Sequence, residues 1–138
     1  SRYRSKGFRS SRTSEETRQT MRRIKVDVTT DTAGAATAYG EAAIGTVYAV
    51  QLVDGDLADG VDVTVTSEQE SLSLPILVKA DFNSDSIFYP RVLQNLNTDG
   101  TALSTHCESL CYGRIKVVIA QGGSVKTGSV IVYLREHL

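Results

Sequence analysis

The stretch Gly113–Leu138, GRIKVVIAQGGSVKTGSVIVYLREHL, limits the folds open to this chain more than any other. Two β-branched apolar runs, Ile115–Ala120 and Val130–Leu134, flank Gln121-Gly122-Gly123-Ser124. In the first run Ile115, Val117 and Ile119 fall on one face of an extended strand, with Arg114 and Lys116 on the other. The second run is apolar on both faces, the mark of a strand buried on both sides. Glycine adopts positive φ without a Cβ clash, so the Gly122-Gly123 pair suits a reversal of direction. The stretch therefore predicts a C-terminal hairpin as the spine of an all-β domain.

The preceding sequence carries the same two-residue period. Ile24, Val26 and Val28 alternate with Lys25, Asp27 and Thr29. Asp31-Thr32-Ala33-Gly34 then turns the chain into a short strand around Ala36–Tyr39. Ile44–Val53 reads as a long strand, Asp54–Gly60 as a turn-rich loop, and Val61, Val63 and Val65 as a half-buried strand. Leu74–Ala80 and Ile87–Leu93 supply two more, with Pro75 and Pro90 expected at strand ends or edges because proline cannot donate to a ladder. Gln94–Tyr112 shows no clear period and reads as the longest loop. With 138 residues and 41% apolar content, one core is expected. The pattern predicts an antiparallel β-sandwich or jelly-roll-like barrel of about eight strands over residues 23–138, with no helix in the body.

Charge divides the chain in a way the total of −1 hides. Residues 1–23 hold eight Lys/Arg against two Glu, a net of +6, and the remainder holds seven against fourteen, a net of −7. Residues 1–22 are too polar to bury a core of their own, so they read as an extended basic arm. Thr13 followed by Glu16 fits a capping box for a short helix running toward Met21. The arm is either a loose tail or a segment that orders on a partner, and Arg2, Tyr3, Arg4, Lys6, Phe8, Arg9 and Arg12 are its candidate contacts. An acidic protein surface, including a neighbouring copy, accounts for both signs of charge and points to a homo-oligomer. Nucleic-acid phosphates are the less favoured partner. No apolar run reaches the length of a membrane span, and no apolar stretch follows the basic start as a secretory signal requires. Ser1 fits removal of an initiator Met. The composition predicts a soluble, intracellularly made protein, and the lack of Trp counts against a glycan-binding module.

Reactive residue types gather only at His106-Cys107-Glu108-Ser109-Leu110-Cys111. Free thiols at Cys107 and Cys111 are the first reading, and a disulfide, local or between chains, is the second. Metal ranks last, since a structural zinc needs four ligands and the one other histidine is His137. Asp54, Asp56 and Asp59 miss the EF-hand order, and turn chemistry explains them better than cation binding. No nucleophile elbow, Walker loop or Gly-x-Gly-x-x-Gly is present. The sequence reads as a non-enzyme with no catalytic residues, metal or cofactor.

The pieces KVDVTTDTAGAATAY, GTVYAVQLVDGDLADGVDVTVTSE, FYPRV and GRIKVVIAQGGSVKTGSVIVYL resemble a family of small β-rich structural proteins of tailed bacteriophages. The likeness covers roughly residues 24–138. It implies a virion component without enzymatic activity, made in the host cytoplasm and bound to other virion proteins: the major capsid protein, or portal, neck or tail proteins. A capsid cement or decoration role is the first expectation, and a ring-forming neck, connector, collar or tail role the second. The basic arm and the His106–Cys111 segment depart from the family pattern.

Overall fold

The computed structural model describes residues 19–137, and among them every regular element is a β-strand. These are β1 (Gln19–Thr29), β2 (Ala36–Val53), β3 (Val61–Gln69), β4 (Leu72–Phe82), β5 (Ser86–Phe88), β6 (Arg91–Asn95), β7 (Ala102–Ala120) and β8 (Thr127–His137). All eight pair antiparallel in one sheet, in the order β1-β8-β2-β7-β3-β4, with β5 added to β2 and β6 to β7.

The shape of that sheet follows from β2. Its first half, Ala36–Val47, pairs with β7, and its second, Thr46–Val53, pairs with β8. At about 3.3 Å per residue a straight strand of this length would hold its ends roughly 60 Å apart. Yet both ends meet one connection: Gly122 N–H donates to the Gly34 carbonyl at 2.8 Å, and Ala58 N–H donates to the Gly122 carbonyl at 3.0 Å. The strand must therefore double back, and the sheet folds over with it. Register shifts between Tyr39 and Ala42 and between Val47 and Ala49 mark the bend. Gly45 sits in it because a Cβ there would run into the Arg135 carbonyl.

Folding over encloses the inward stripes. Ile24, Val26 and Val28 of β1 and Val61, Val63 and Val65 of β3 are buried, as are Ile115, Val117 and Ile119 of β7 and Val130, Val132 and Leu134 of β8. Each such side chain contributes about 1.5–3 kcal/mol by leaving water. β1 packs so closely over β2 that a Cβ at Gly40 would lie 2.7 Å from Val26 Cγ2 and 3.1 Å from Ile24 Cγ2.

The structure corrects four expectations. The runs flanking Gly122-Gly123 are β7 and β8, but they do not pair with each other. β2 lies between them, so the glycines bridge two parts of the folded sheet instead of closing a hairpin. The short and long strands expected within residues 36–53 are one strand. Gln19–Arg22, assigned to the arm, belong to β1 and pair with His137–Leu134 of β8, while Thr13 and Glu16, the expected cap of a short helix, lie outside the described residues. Finally, Gln94–Tyr112 is no loop: β6 and the first part of β7 pair across it as a two-stranded ribbon. Pro90 does stand between strands, and Pro75 lies on β4, the outermost strand of its side.

Candidate interaction surface

The two ends of the folded sheet are chemically unlike. One gathers the loops that meet at Gly122, and the other carries the β6–β7 ribbon. Since Ala120, the last residue of β7, lies beside that loop end, the ribbon at the start of the 19-residue strand projects from the opposite end.

The ribbon is built by cross-strand pairs Arg91–Glu108, Val92–Cys107 and Leu93–His106, and it is closed by a turn in which Leu96 N–H donates to the Thr101 carbonyl at 2.8 Å. Alternation puts Arg91, Leu93, His106 and Glu108 on one face, and Val92 with Cys107 on the other. Cys107 continues the inward series Ser109, Cys111, Gly113 and Ile115, so the core-facing stripe of β7 runs on past the core into solvent. Val92, Leu93, Leu96 and Leu103 are all exposed, Leu93 by 47%. The ionisable side chains between Val92 and Cys107 are those of Asp99, His106 and Cys107 itself.

A polar bracket fixes the ribbon at its base. Glu108 accepts from Thr46 Oγ1 at 2.8 Å and takes Arg135 Nε on both carboxylate oxygens at 3.1 Å. Arg91 Nη2 lies 3.8 Å from the same carboxylate, and its Nη1 donates to the Tyr48 carbonyl at 3.1 Å. The Arg135 guanidinium stacks 4.7 Å from the Tyr48 ring centre, and Tyr89 meets Tyr48 edge-on at 5.6 Å. Burial pushes the Glu108 carboxyl up, but the Thr46 and Arg135 hydrogen bonds and the charges of Arg135 and Arg91 outweigh it and hold the group below the usual range. β2, β6, β7 and β8 each supply a member, so no short sequence window displays this bracket.

Beside the bracket lies an open groove of about 450 Å³ lined by Ala42, Ala43, Ile44, Gln69, Tyr112, Gly113 and Glu136. Its one acidic side chain, Glu136, is paired with Arg22 at 2.9 Å. Ile44 and Leu110, next to it, are more than half exposed.

The loop end is acidic. Asp54, Asp56, Asp59 and Asp85 cluster there, with Asp31 in a turn and Asp62 and Asp81 at the adjoining ends of β3 and β4, and among the described residues none of them is ion-paired. Several serve the backbone: Asp56 Oδ1 accepts from Thr127 N–H at 2.6 Å, Asp31 Oδ1 from Ala33 and Ala35 N–H, and Asp85 Oδ1 from Asp54 N–H. The Thr127 and Ala35 N–H bonds draw the Asp56 and Asp31 carboxyls down. Asp54 behaves oppositely: burial, then the charges of Asp59, Asp85 and Asp56, push its carboxyl up, and its Oδ1 is buried without a partner.

Cys107 and Cys111 are both free thiols, half-buried and buried respectively. Four positions apart on one extended strand, their Cα atoms are about 13 Å from each other, beyond disulfide reach; the local bridge is not made. Burial raises the Cys111 thiol. His106 points to the face opposite Cys107, and among the described residues no three His, Cys, Asp or Glu side chains converge as metal ligands. Arg2, Tyr3, Arg4, Lys6, Phe8, Arg9 and Arg12 lie outside the described residues. No described helix is long and apolar enough to cross a membrane. Comparison with protein-family models, curated proteins and solved structures returns no match.

Proposed function

We propose that the chain is a structural component of a tailed-phage virion, in the first place a capsid cement or decoration protein. In this reading the eight strands from Gln19 to His137 form a β-sandwich with jelly-roll-like pairing, and the basic N-terminal arm binds the capsid or neighbouring copies. The observation that carries it is the bracketed β6–β7 ribbon. An apolar two-stranded ribbon bracketed at its base and held away from the body suits docking, and pre-organisation lowers the ordering cost of an assembly contact. The folded-over sheet supports the sandwich, and the net +4 of residues 1–18 supports an arm that seeks acidic protein. A neck, connector, collar or tail ring is the second reading. It is favoured by the unlike ends, because a ring subunit meets different neighbours above and below.

Cryo-electron microscopy of the intact particle tests this. Density for the chain repeated over the shell is the expected result, and a ring below the portal or along the tail selects the second reading. Absence from the particle overturns both. Deleting residues 1–18 is expected to leave cooperative unfolding intact while reducing incorporation into particles.

A further inference from the structure

We infer that copies of this chain associate head to tail: Val125 and the aspartates beside it, at the loop end of one copy, seat in an apolar groove around Met21 and Tyr133 near the opposite end of the next. This goes beyond the virion reading by naming both surfaces, and it is decided on the isolated protein.

The groove lies outside the core. β1, β8, the second half of β2 and β5 run side by side. Ile24, Val132, Val50 and Leu52 of these strands face inward, and alternate positions form the other face. There Met21, Tyr48, Ala49, Ile87 and Tyr133 line a groove of about 300 Å³ whose open surface is wholly apolar. The Tyr133 hydroxyl donates to Gln51 Oε1 at 2.9 Å, so the ring needs no further polar partner. Met21 and Ile87 are each nearly half exposed.

Cations rim this groove. Arg23 is exposed, stands opposite Tyr133 in the β1–β8 ladder, and has no carboxylate partner among the described residues. Arg135, opposite Met21 and stacked on Tyr48, shares the single Glu108 carboxylate with Arg91, which leaves one positive charge uncompensated. Residues 1–18, with six Lys/Arg against two Glu, join the sheet at Gln19, two positions before Met21, and add a net +4. Glu41 and Glu136 share Arg22 close by, and this end still stays positive. Residues 19–138 hold nine Lys/Arg against fourteen Asp/Glu, a net of −5, and the unpaired aspartates gather at the loop end, about 25 Å away along β1. With the whole chain counted, its two ends carry opposite charge, so like ends repel and unlike ends attract.

Val125 supplies the anchor. It is 60% exposed with φ 52, a left-handed conformation that a β-branched residue rarely adopts. Its N–H donates to the Asp31 carbonyl at 3.1 Å, and Asp56 accepts from Thr127 N–H two residues on, so both aspartates lie beside it. Lys126 is the one base in 121–126. Glycine takes positive φ without conflict, as at Gly34 and Gly123 of the same end. A strained valine kept in water instead is what a contact residue requires. An aliphatic knob among carboxylates matches an apolar groove among guanidinium groups. Such a contact joins unlike surfaces, so each copy keeps one of them open and copies continue into a ring or filament.

The full chain would be compared with Ile87→Asp, Val125→Gly and a Val78→Asp control on β4 by sedimentation over a range of concentrations. Wild type and control are expected to associate into species larger than a dimer, and less tightly as salt is added. Ile87→Asp is expected to weaken association roughly 30-fold and Val125→Gly roughly 10-fold, with unchanged circular-dichroism spectra. Val125→Gly should not lower Tm, because it relieves the backbone; its weaker association is then separate from folding. Mixing the two variants supplies the second readout. The intact loop end of Ile87→Asp meets the intact groove of Val125→Gly, and one-to-one complexes that grow no further are expected. A wild type that stays monomeric, or stops at a two-fold dimer, overturns the inference. So do variants that associate like wild type, association indifferent to salt, or a mixture that forms no pair. None of these results bears on whether the chain is found in particles, which the microscopy decides separately.

Discussion

One strand, β7, passes through two environments. From Ser109 to Ile119 it lies against β2, and from Arg114 onward also against β3; its inward positions Cys111, Ile115 and Val117 are wholly buried. From Ala102 to Cys107 the same strand has β6 as its partner, and nearly every side chain meets water. Backbone pairing is similar in both parts, so the ladder does not distinguish them. What differs is a second layer of apolar side chains. Strand structure thus extends further than the core that would make it stable, and the excess is an exposed two-stranded ribbon.

Mutation should separate the two halves sharply. Ile115→Ala in the buried half is expected to cost about 3 kcal/mol, whereas Leu103→Ala on the ribbon should change monomer stability by less than about 0.5 kcal/mol. Urea melts of the two variants beside wild type make the comparison. Equal losses would mean that the ribbon is part of the core.

The bracket at the boundary should show an intermediate effect. Glu108→Gln leaves Arg135 and Arg91 without their shared counter-charge and is expected to cost about 1–2 kcal/mol. Amide exchange should accelerate in residues 91–95 and 102–107 first. Because the folded state holds the Glu108 carboxyl low, its stabilisation is complete above the ordinary glutamate value of about 4.3 and is lost as pH falls through the lower folded value. Melts of wild type and Glu108→Gln should therefore converge on acidification; a gap that persists in acid would remove the charge explanation.

The smallest effect is expected at the far end, with the opposite sign. Burial and neighbouring aspartates raise the Asp54 carboxyl. Its protonated form favours folding below the ordinary aspartate range, and that gain disappears as pH rises through the folded value. At neutral pH Asp54→Asn should stabilise by roughly 0.5 kcal/mol, seen as a higher Tm that shrinks toward wild type in acid. A lower Tm at pH 7 would show that the carboxylate is needed in the loop.

Sequence displayed the strands wherever inward positions are β-branched, as at Ile24–Val28, Val61–Val65 and Ile115–Ile119. It failed at residues 94–112 because the inward positions at its end and just beyond are Ser109, Cys111 and Gly113, small or polar groups that break the apolar alternation. They are small for tertiary reasons: Gly113 has φ +110 and faces the Glu68 carbonyl, where a Cβ would collide. The Gly122-Gly123 pair signalled a change of direction correctly, but local sequence does not say whether two flanking strands meet or are parted by a third. The bracket was hidden more deeply. Tyr48, Arg91, Glu108 and Arg135 become neighbours only through strand pairing, and no spacing rule joins them.

The pairing of β1 carries a consequence for how the protein is made. The ladder partner of β1 is β8, and the nearest pair, Thr29 with Thr127, is separated by 98 positions. At roughly 5–20 residues per second of synthesis, the first strand waits about 5–20 s for its partner to be translated. During that interval Ile24, Val26 and Val28 have no ladder to join, so the nascent chain depends on whatever shields it at the ribosome. Completion of β8 supplies the missing pairing along the whole of β1, making late closure of this N- to C-terminal ladder the step that commits each new copy to its fold.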